Sequence, residues 1–306
     1  MRKYLRLIGM LLLMAALLCA CGKKKEEEVT PEEPDPGPAP TVVSEEAYSV
    51  LCSDGSHTLR FRRAEDGNWQ WVDDVSFPLD GQYVDQLVEL TGELEAPAPL
   101  LQPEPAEFYG LTGTKRYLAV QRRDGSEVVY RLGDAAEGGG YYCSSSEDEK
   151  TIRVVPEDVL TRMGRSIYDM ALLPELPALT VKEIRSVTIT RGDESDQLTV
   201  ARDKWLRGKA DVSAQDAVSQ LSAALETAAL TRCVDYAPAS GAAAVCGLEP
   251  PAATVEIELA KTTLTLRIGS FNSSENAWYV TMNDDTTIYL MDGQLPALAA
   301  AWSAES

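Results

Sequence analysis

The sequence predicts an α+β protein made of two tandem repeats, each a mostly antiparallel β-sheet packed with one main amphipathic helix. Three observations point there. Landmarks recur in one order at a nearly constant offset, which is the signature of duplication: Trp71 falls on Trp205, Val84 on Val218, Gln86 on Gln220, Leu87 on Leu221, Gly110-Leu111 on Gly247-Leu248, Leu132-Gly133 on Ile268-Gly269, Tyr142 on Tyr279 and Thr151-Ile152 on Thr287-Ile288. Short runs such as Val255-Glu256-Ile257-Glu258-Leu259 and Leu264-Thr265-Leu266-Arg267-Ile268 alternate apolar and polar side chains, as strands with one wet face do. Each half also contains one helical stripe that needs a sheet to cover it.

The first 20 residues read as an export signal. Arg2, Lys3 and Arg6 precede an apolar run from Leu7 to Leu18, which ends at Cys19-Ala20-Cys21. The run is shorter than the roughly 20 residues needed to span a bilayer. Leu18-Cys19-Ala20-Cys21-Gly22 resembles a lipobox, so cleavage before Cys21 and acylation of its thiol are expected, with membrane lipid as the first partner. The protein would then face outside the cytoplasm, held to the cell membrane. Residues 21–45, with Glu26-Glu27-Glu28 and prolines at 31, 34, 36, 38 and 40, favour extended conformations and read as a stalk. Lys23-Lys24-Lys25 either touches anionic headgroups or is a solvated tether.

The first repeat is expected over residues 46–165, with strands at Tyr48–Val50, His57–Arg62, Tyr117–Gln121, Glu127–Leu132, Tyr141–Cys143 and Thr151–Val155 and a helix from about Asp80. Residues 166–183 connect the halves. In the second repeat, 184–306, Val187–Thr190 and Leu198–Ala201 suit a hairpin around Arg191-Gly192-Asp193-Glu194-Ser195-Asp196. Ser213 and Asp216 suggest a capping box before the stripe Val218, Leu221, Leu225 and Ala228. A meander of four strands follows, and Leu295–Trp302 closes the chain as a short helix.

These landmarks resemble the DUF4340 domain of bacterial envelope proteins. The resemblance rests on the Trp before a polar turn and helix, Tyr109-Gly110-Leu111, the run Gly247 to Val255, Ile268-Gly269, Trp278-Tyr279-Val280 and Ile288-Tyr289-Leu290, and it covers nearly everything after residue 45. It brings no catalytic signature. Members are often encoded beside ABC-type transport systems, so the resemblance implies an accessory role at such a membrane complex and transfers no functional residue.

Composition and motifs narrow the chemistry. The formal charge is −20 and no basic patch follows residue 25, which argues against nucleic acid as a partner. His57 is the single histidine and sits beside the turn Ser53-Asp54-Gly55-Ser56, without a nucleophile and orienting partner in sight. Asp73-Asp74, Glu147-Asp148-Glu149 and Asp284-Asp285 are the acid pairs a glycan hydrolase would use, but each falls in an apparent turn. Asp193, Glu194 and Asp196 lack the spacing of a calcium loop. Arg191-Gly192-Asp193 reads as a turn before it reads as an adhesive tripeptide. Cys233 and Cys246 flank an Ala/Ser/Gly-rich stretch, and a disulfide between them is favoured over Cys52 with Cys143; four buried free thiols are the other outcome. Tyr141, Tyr142, Trp278 and Tyr279 either line a ligand cleft or pack a core. The expectation is a non-enzymatic binding or scaffold lipoprotein with no cofactor or metal. A carboxylate-dependent cell-wall hydrolase and a solute-binding lipoprotein are the alternatives.

Overall fold

The structure, a computed structural model, describes residues 42–303. The export segment, Cys21 and the stalk lie outside the described residues, apart from the stalk's last four residues, 42–45. Two antiparallel sheets and five α-helices make up the described body.

The first half contains β1 (Ala47–Asp54), β2 (Thr58–Arg63), β3 (Trp69–Trp71), α1 (Gly81–Glu95), β4 (Arg116–Arg122), β5 (Glu127–Ala135), β6 (Tyr141–Ser145), β7 (Asp148–Val155) and α2 (Asp158–Met163). Its sheet runs β3-β2-β1-β4-β5-β6-β7. The second half contains β8 (Ile184–Arg191), β9 (Glu194–Ala201), β10 (Lys204–Arg207), β11 (Ala210–Asp211), α3 (Asp216–Glu226), β12 (Leu230–Asp235), α4 (Ala242–Val245), β13 (Ala253–Leu259), β14 (Thr263–Asn272), β15 (Ala277–Met282), β16 (Ile288–Met291) and α5 (Gln294–Ala301). Its sheet runs β11-β10-β9-β8-β13-β14-β15-β16-β12. With β11 and β12 set aside, the two strand orders coincide.

The agreement extends to register. Val50 faces Val120 and Cys52 faces Leu118 between β1 and β4, as Val187 faces Ile257 and Ile189 faces Val255 between β8 and β13. Leu132 pairs with Cys143 and Ile268 with Val280. Each of these ladders then breaks at the same place, between Leu132 and Ala135 and between Ile268 and Phe271. The cause is a close approach. A Cβ on Gly133 would lie 2.0 Å from the Tyr109 carbonyl oxygen, and one on Gly269 would lie 2.3 Å from that of Cys246. The chain reaches these carbonyls through Gly110 at φ +67° and Gly247 at φ +69°, the left-handed conformation that glycine adopts cheaply, and then buries Leu111 and Leu248. The recurring Gly-Leu and Gly landmarks are thus two sides of one packing contact between a loop and a bulged strand.

One alignment needs correction. Trp71 was expected opposite Trp205, but the buried Trp69 is the equivalent residue. Trp69 pairs with Arg63 and Trp205 with Val200, each across from the last inward position of the preceding strand. The helices do follow the Val84-on-Val218 match, with Val84, Leu87 and Leu90 buried as are Val218, Leu221 and Ala224. The connection from strand to helix is therefore two residues longer in the first half, and the alignment is not gapless.

Helix α1 is capped by Asp80, whose side chain accepts from the Gln82 amide at 3.0 Å. Helix α3 is not capped by Ser213, contrary to expectation. That hydroxyl accepts from the Trp205 amide at 2.9 Å, tying strand to loop, and the residue before the helix is Gln215. Helix α1 packs on β1, β3 and β7 beside α2. Helix α5 lies on β13 and β14, with α3 against it. Buried side chains of both halves form one contiguous apolar cluster, joined by Met170, Ala171, Leu173, Leu176 and Leu179 of the connector. No helix among the described residues is long and apolar enough to cross a membrane.

Candidate functional site

A cleft with an apolar wall forms where the halves meet. Leu79 and Ala171 make an isolated bridge, and the Leu172 amide donates to the Pro78 carbonyl, so the connector is stitched to the strand-to-helix loop of the first half. Strand β12, the one strand of the second sheet's far edge without a counterpart, reaches the same place. Arg232 on β12 pairs with Asp169 at 2.8 Å and with Glu275 at 3.0 Å. Just past β12, the Tyr236 hydroxyl donates to the Ser76 carbonyl at 2.9 Å. Phe77 stands between, with its ring edge-on to Trp71, Tyr168 and Tyr236 at centroid distances of 5.6, 6.0 and 5.5 Å. Such edge-to-face pairs are attractive beyond their buried area.

Beside this aromatic seam lies an open cleft of about 590 Å³, within the range of ligand pockets. Pro78 comes from the first half, Leu172, Leu173, Pro174 and Glu175 from the connector, and Tyr236, Met282, Asp285, Thr287 and Tyr289 from the second half. Its polar end is organised. The Asp285 carboxylate accepts from the Thr287 amide at 3.0 Å, the Thr287 hydroxyl at 2.9 Å and the Tyr289 hydroxyl at 3.2 Å. Burial, with the Asp285 charge beside it, pushes the Tyr289 hydroxyl up to about 12. Tyr289 thus stays a neutral donor at any physiological pH. Leu172 is 60% exposed above the apolar side.

A second cleft, about 460 Å³, is lined by Ile189, Arg191, Glu194, Ser195, Asp196, Trp302 and Ser303. Two of its charged groups, Asp196 and Arg191, are engaged by the chain itself. Asp196 accepts from Arg207 Nε at 3.1 Å, from Arg207 Nη2 at 2.9 Å and from the Trp302 indole at 3.0 Å, while Arg191 donates to the Trp302 carbonyl at 2.6 Å. This network pins the final helix to the β8–β9 hairpin. It also engages residues of two sequence motifs. Arg191 of the Arg-Gly-Asp tripeptide is turned onto Trp302, and Asp196 of the acidic trio serves an arginine; among the described residues no group of acids, cysteines or histidine is placed to hold a metal ion.

The other candidate residues take structural positions. Tyr141, Tyr142, Trp278 and Tyr279 are half-buried on β6 and β15. Tyr141 and Trp278 pack against the core, Tyr142 lies 4.6 Å from the Tyr109 ring, and the Tyr279 hydroxyl accepts from Asn272. None of the four lines either cleft. His57 is held at the end of a hairpin, with Nδ1 3.3 Å from Asp54 and Nε2 3.3 Å from the Arg165 carbonyl. One or more acids of each group have side-chain partners: Asp74 has Ser76, Glu147 at the β6–β7 turn has Arg122, Asp148 and Glu149 at the start of β7 have Thr151 and Arg131, and Asp285 is engaged as above. Cys21 lies outside the described residues.

The favoured disulfide is not formed, and Cys52, Cys143, Cys233 and Cys246 are all free thiols. Cys233 pairs with Tyr289 on the outer flank of β16, whereas the Cys246 carbonyl accepts from Ser270 on β14. Three strand spacings of roughly 4.8 Å separate β12 from β14, well beyond the reach of a disulfide. Burial pushes the Cys52 and Cys143 thiols up to about 12 and Cys233 up to about 11, so they are poor nucleophiles.

The junction cleft was not foreseen. Its one sequence signal was the apolar Leu172-Leu173-Pro174 inside a connector, which marks chain that is neither strand nor solvated loop.

No curated protein and no solved structure matches the chain. Residues 205–305 match the family model described as a domain of unknown function, DUF4340. That span begins at Trp205 and takes in α3, the Gly247 contact, the Gly269 bulge and the meander through β16. The chain therefore carries a DUF4340 domain in its second half.

Proposed function

We propose that the protein is a membrane-anchored extracytoplasmic lipoprotein whose body binds another envelope component without catalysing a reaction. The observation that carries this reading is the junction cleft. Three separate chain segments build its apolar side, and the one acid at its polar end already spends both oxygens on hydroxyl and amide donors. A carboxylate so engaged is an organising group rather than a general acid or base. Of the acids that a hydrolase would need, Asp74, Glu147, Asp148, Glu149 and Asp285 are engaged by serine, arginine or threonine at three separate places in the fold. The Leu18 to Gly22 pattern and the charged, proline-rich stretch after it support the anchor. The resemblance to envelope proteins encoded beside ABC-type transporters makes such a complex the partner to test first.

The test is capture from detergent-solubilised membranes. With the native chain as bait, a membrane-complex protein should enrich over an unrelated lipoprotein of similar charge; no enrichment in repeated captures ends the binding reading. Cys21→Ser should move the protein from the membrane to the soluble fraction, and retention on the membrane ends the anchor reading.

A further inference from the structure

We propose that the junction cleft receives a short segment of a partner protein in which a lysine or arginine is flanked by apolar side chains. This rests on the binding reading above and gives it a site and a chemistry. Leu172, Leu173, Pro174, Pro78 and Met282 offer an apolar wall, and Leu172 is left 60% exposed by the chain's own packing. The charged side chains of the lining are Glu175 and Asp285, and neither has an ion-pair partner among the cleft's residues. Arg232 on the neighbouring strand is committed to Asp169 and Glu275. Arg267 lines a separate cleft that shares Asp285. A whole-chain charge of −20 adds a field that draws cations toward this surface.

Comparison of the halves shows that this character is particular to the second copy. The pairing of Cys143 with Arg153, set against that of Val280 with Tyr289, places Arg153 where Tyr289 stands. In the first half the acid two residues before Thr151, Glu149, is neutralised by Arg131 at 3.6 Å. The second half thus has a neutral phenol and an acid without an ion pair at positions where the first half has an arginine and an ion-paired acid. The first half's edge strand β7 is met by a proline-rich segment, through the Leu100 amide on the Ile152 carbonyl, whereas β12 and Tyr236 leave an opening beside β16. The duplicated scaffold has diverged at the one place where both halves and the connector meet.

The experiment uses the full chain purified in detergent and two fluorescently labelled peptides, acetyl-Leu-Lys-Leu-Lys-amide and acetyl-Leu-Glu-Leu-Glu-amide, read by polarisation. The basic peptide should saturate below about 1 mM, and the acidic one should bind at least about tenfold more weakly. Leu172→Asn and Glu175→Lys alter exposed side chains and should leave the melting temperature in place. Each should weaken the basic peptide by about threefold to tenfold. Equal binding of the two peptides, no saturation by the basic one, or indifference to both substitutions overturns the proposal. If Leu172→Asn still captures the membrane partner while the peptide fails to bind, the binding role stands and the cleft is not where it acts.

Discussion

Glu93 and Arg162 show how single side chains join neighbouring helices here. Arg162 of α2 reaches Glu93 of α1 through two hydrogen bonds, one of them 2.9 Å from Nη1. The bonds from Arg162, and its charge, hold the Glu93 carboxyl below the usual carboxylate value of 4.5 against a smaller effect of burial. A group whose pKa is depressed by folding stabilises the fold above its unfolded value, and that stabilisation is lost as pH falls through the folded value. Stability should therefore decline on the acid side below about pH 4.5. Glu93→Gln should flatten that part of the decline while costing no more than about 1 kcal/mol at neutral pH, because the pair is partly exposed. Denaturant titrations of both proteins across this pH range check it; an unchanged acid profile would show that the pair adds nothing.

The loop contacts at Gly133 and Gly269 act at the scale of the element. Each lets a carbonyl from a short helical turn sit against a bulged strand, and each bulge changes which residues of β5 and β14 face inward afterwards. Alanine at either position would drive its Cβ into a backbone oxygen, so the loop or the strand must move. Gly133→Ala and Gly269→Ala should each cost at least about 2 kcal/mol, seen as a lower denaturation midpoint. Gly138→Ala, where no atom lies within 4 Å of the added carbon and φ is not positive, should stay within about 0.5 kcal/mol. Equal effects of Gly133→Ala and Gly138→Ala would refute the packing account. The helices carry the opposite lesson. Asp80 caps α1 as its position suggests, but Ser213 is drawn off to the Trp205 amide, because an unpaired strand-end donor competes for the same hydroxyl.

Across the whole molecule, the seam of Phe77, Trp71, Tyr168 and Tyr236 joins side chains of the first half, the connector and the second half. Phe77 is buried between them, and Phe77→Ala should cost about 3–5 kcal/mol. It should also separate the calorimetric transition into two, since the remaining polar links, Arg232 to Asp169 and Tyr236 to Ser76, are solvent-accessible. Tyr236→Phe removes only one hydrogen bond and should cost about 1 kcal/mol without dividing the transition. A single transition in Phe77→Ala would place the coupling in the connector's apolar residues instead.

The alternation of β13 and β14, the stripes of α1 and α3, and the near-constant spacing of the Gly-Leu, Gly and Thr-Ile landmarks were legible along the chain, because period and spacing are local properties that survive without any tertiary contact. These suffice for two copies of one antiparallel sheet with a covering helix. The Trp205 counterpart, the free state of Cys233 and Cys246, and the cap of α3 depended on which strand lies beside which, and sequence distance is silent on that. The cleft depended on it most. Pro78, Leu172 and Tyr289 are far apart along the chain and carry no shared motif, and they become one surface only when the connector is fastened to the first half and β12 is added at the edge of the second sheet.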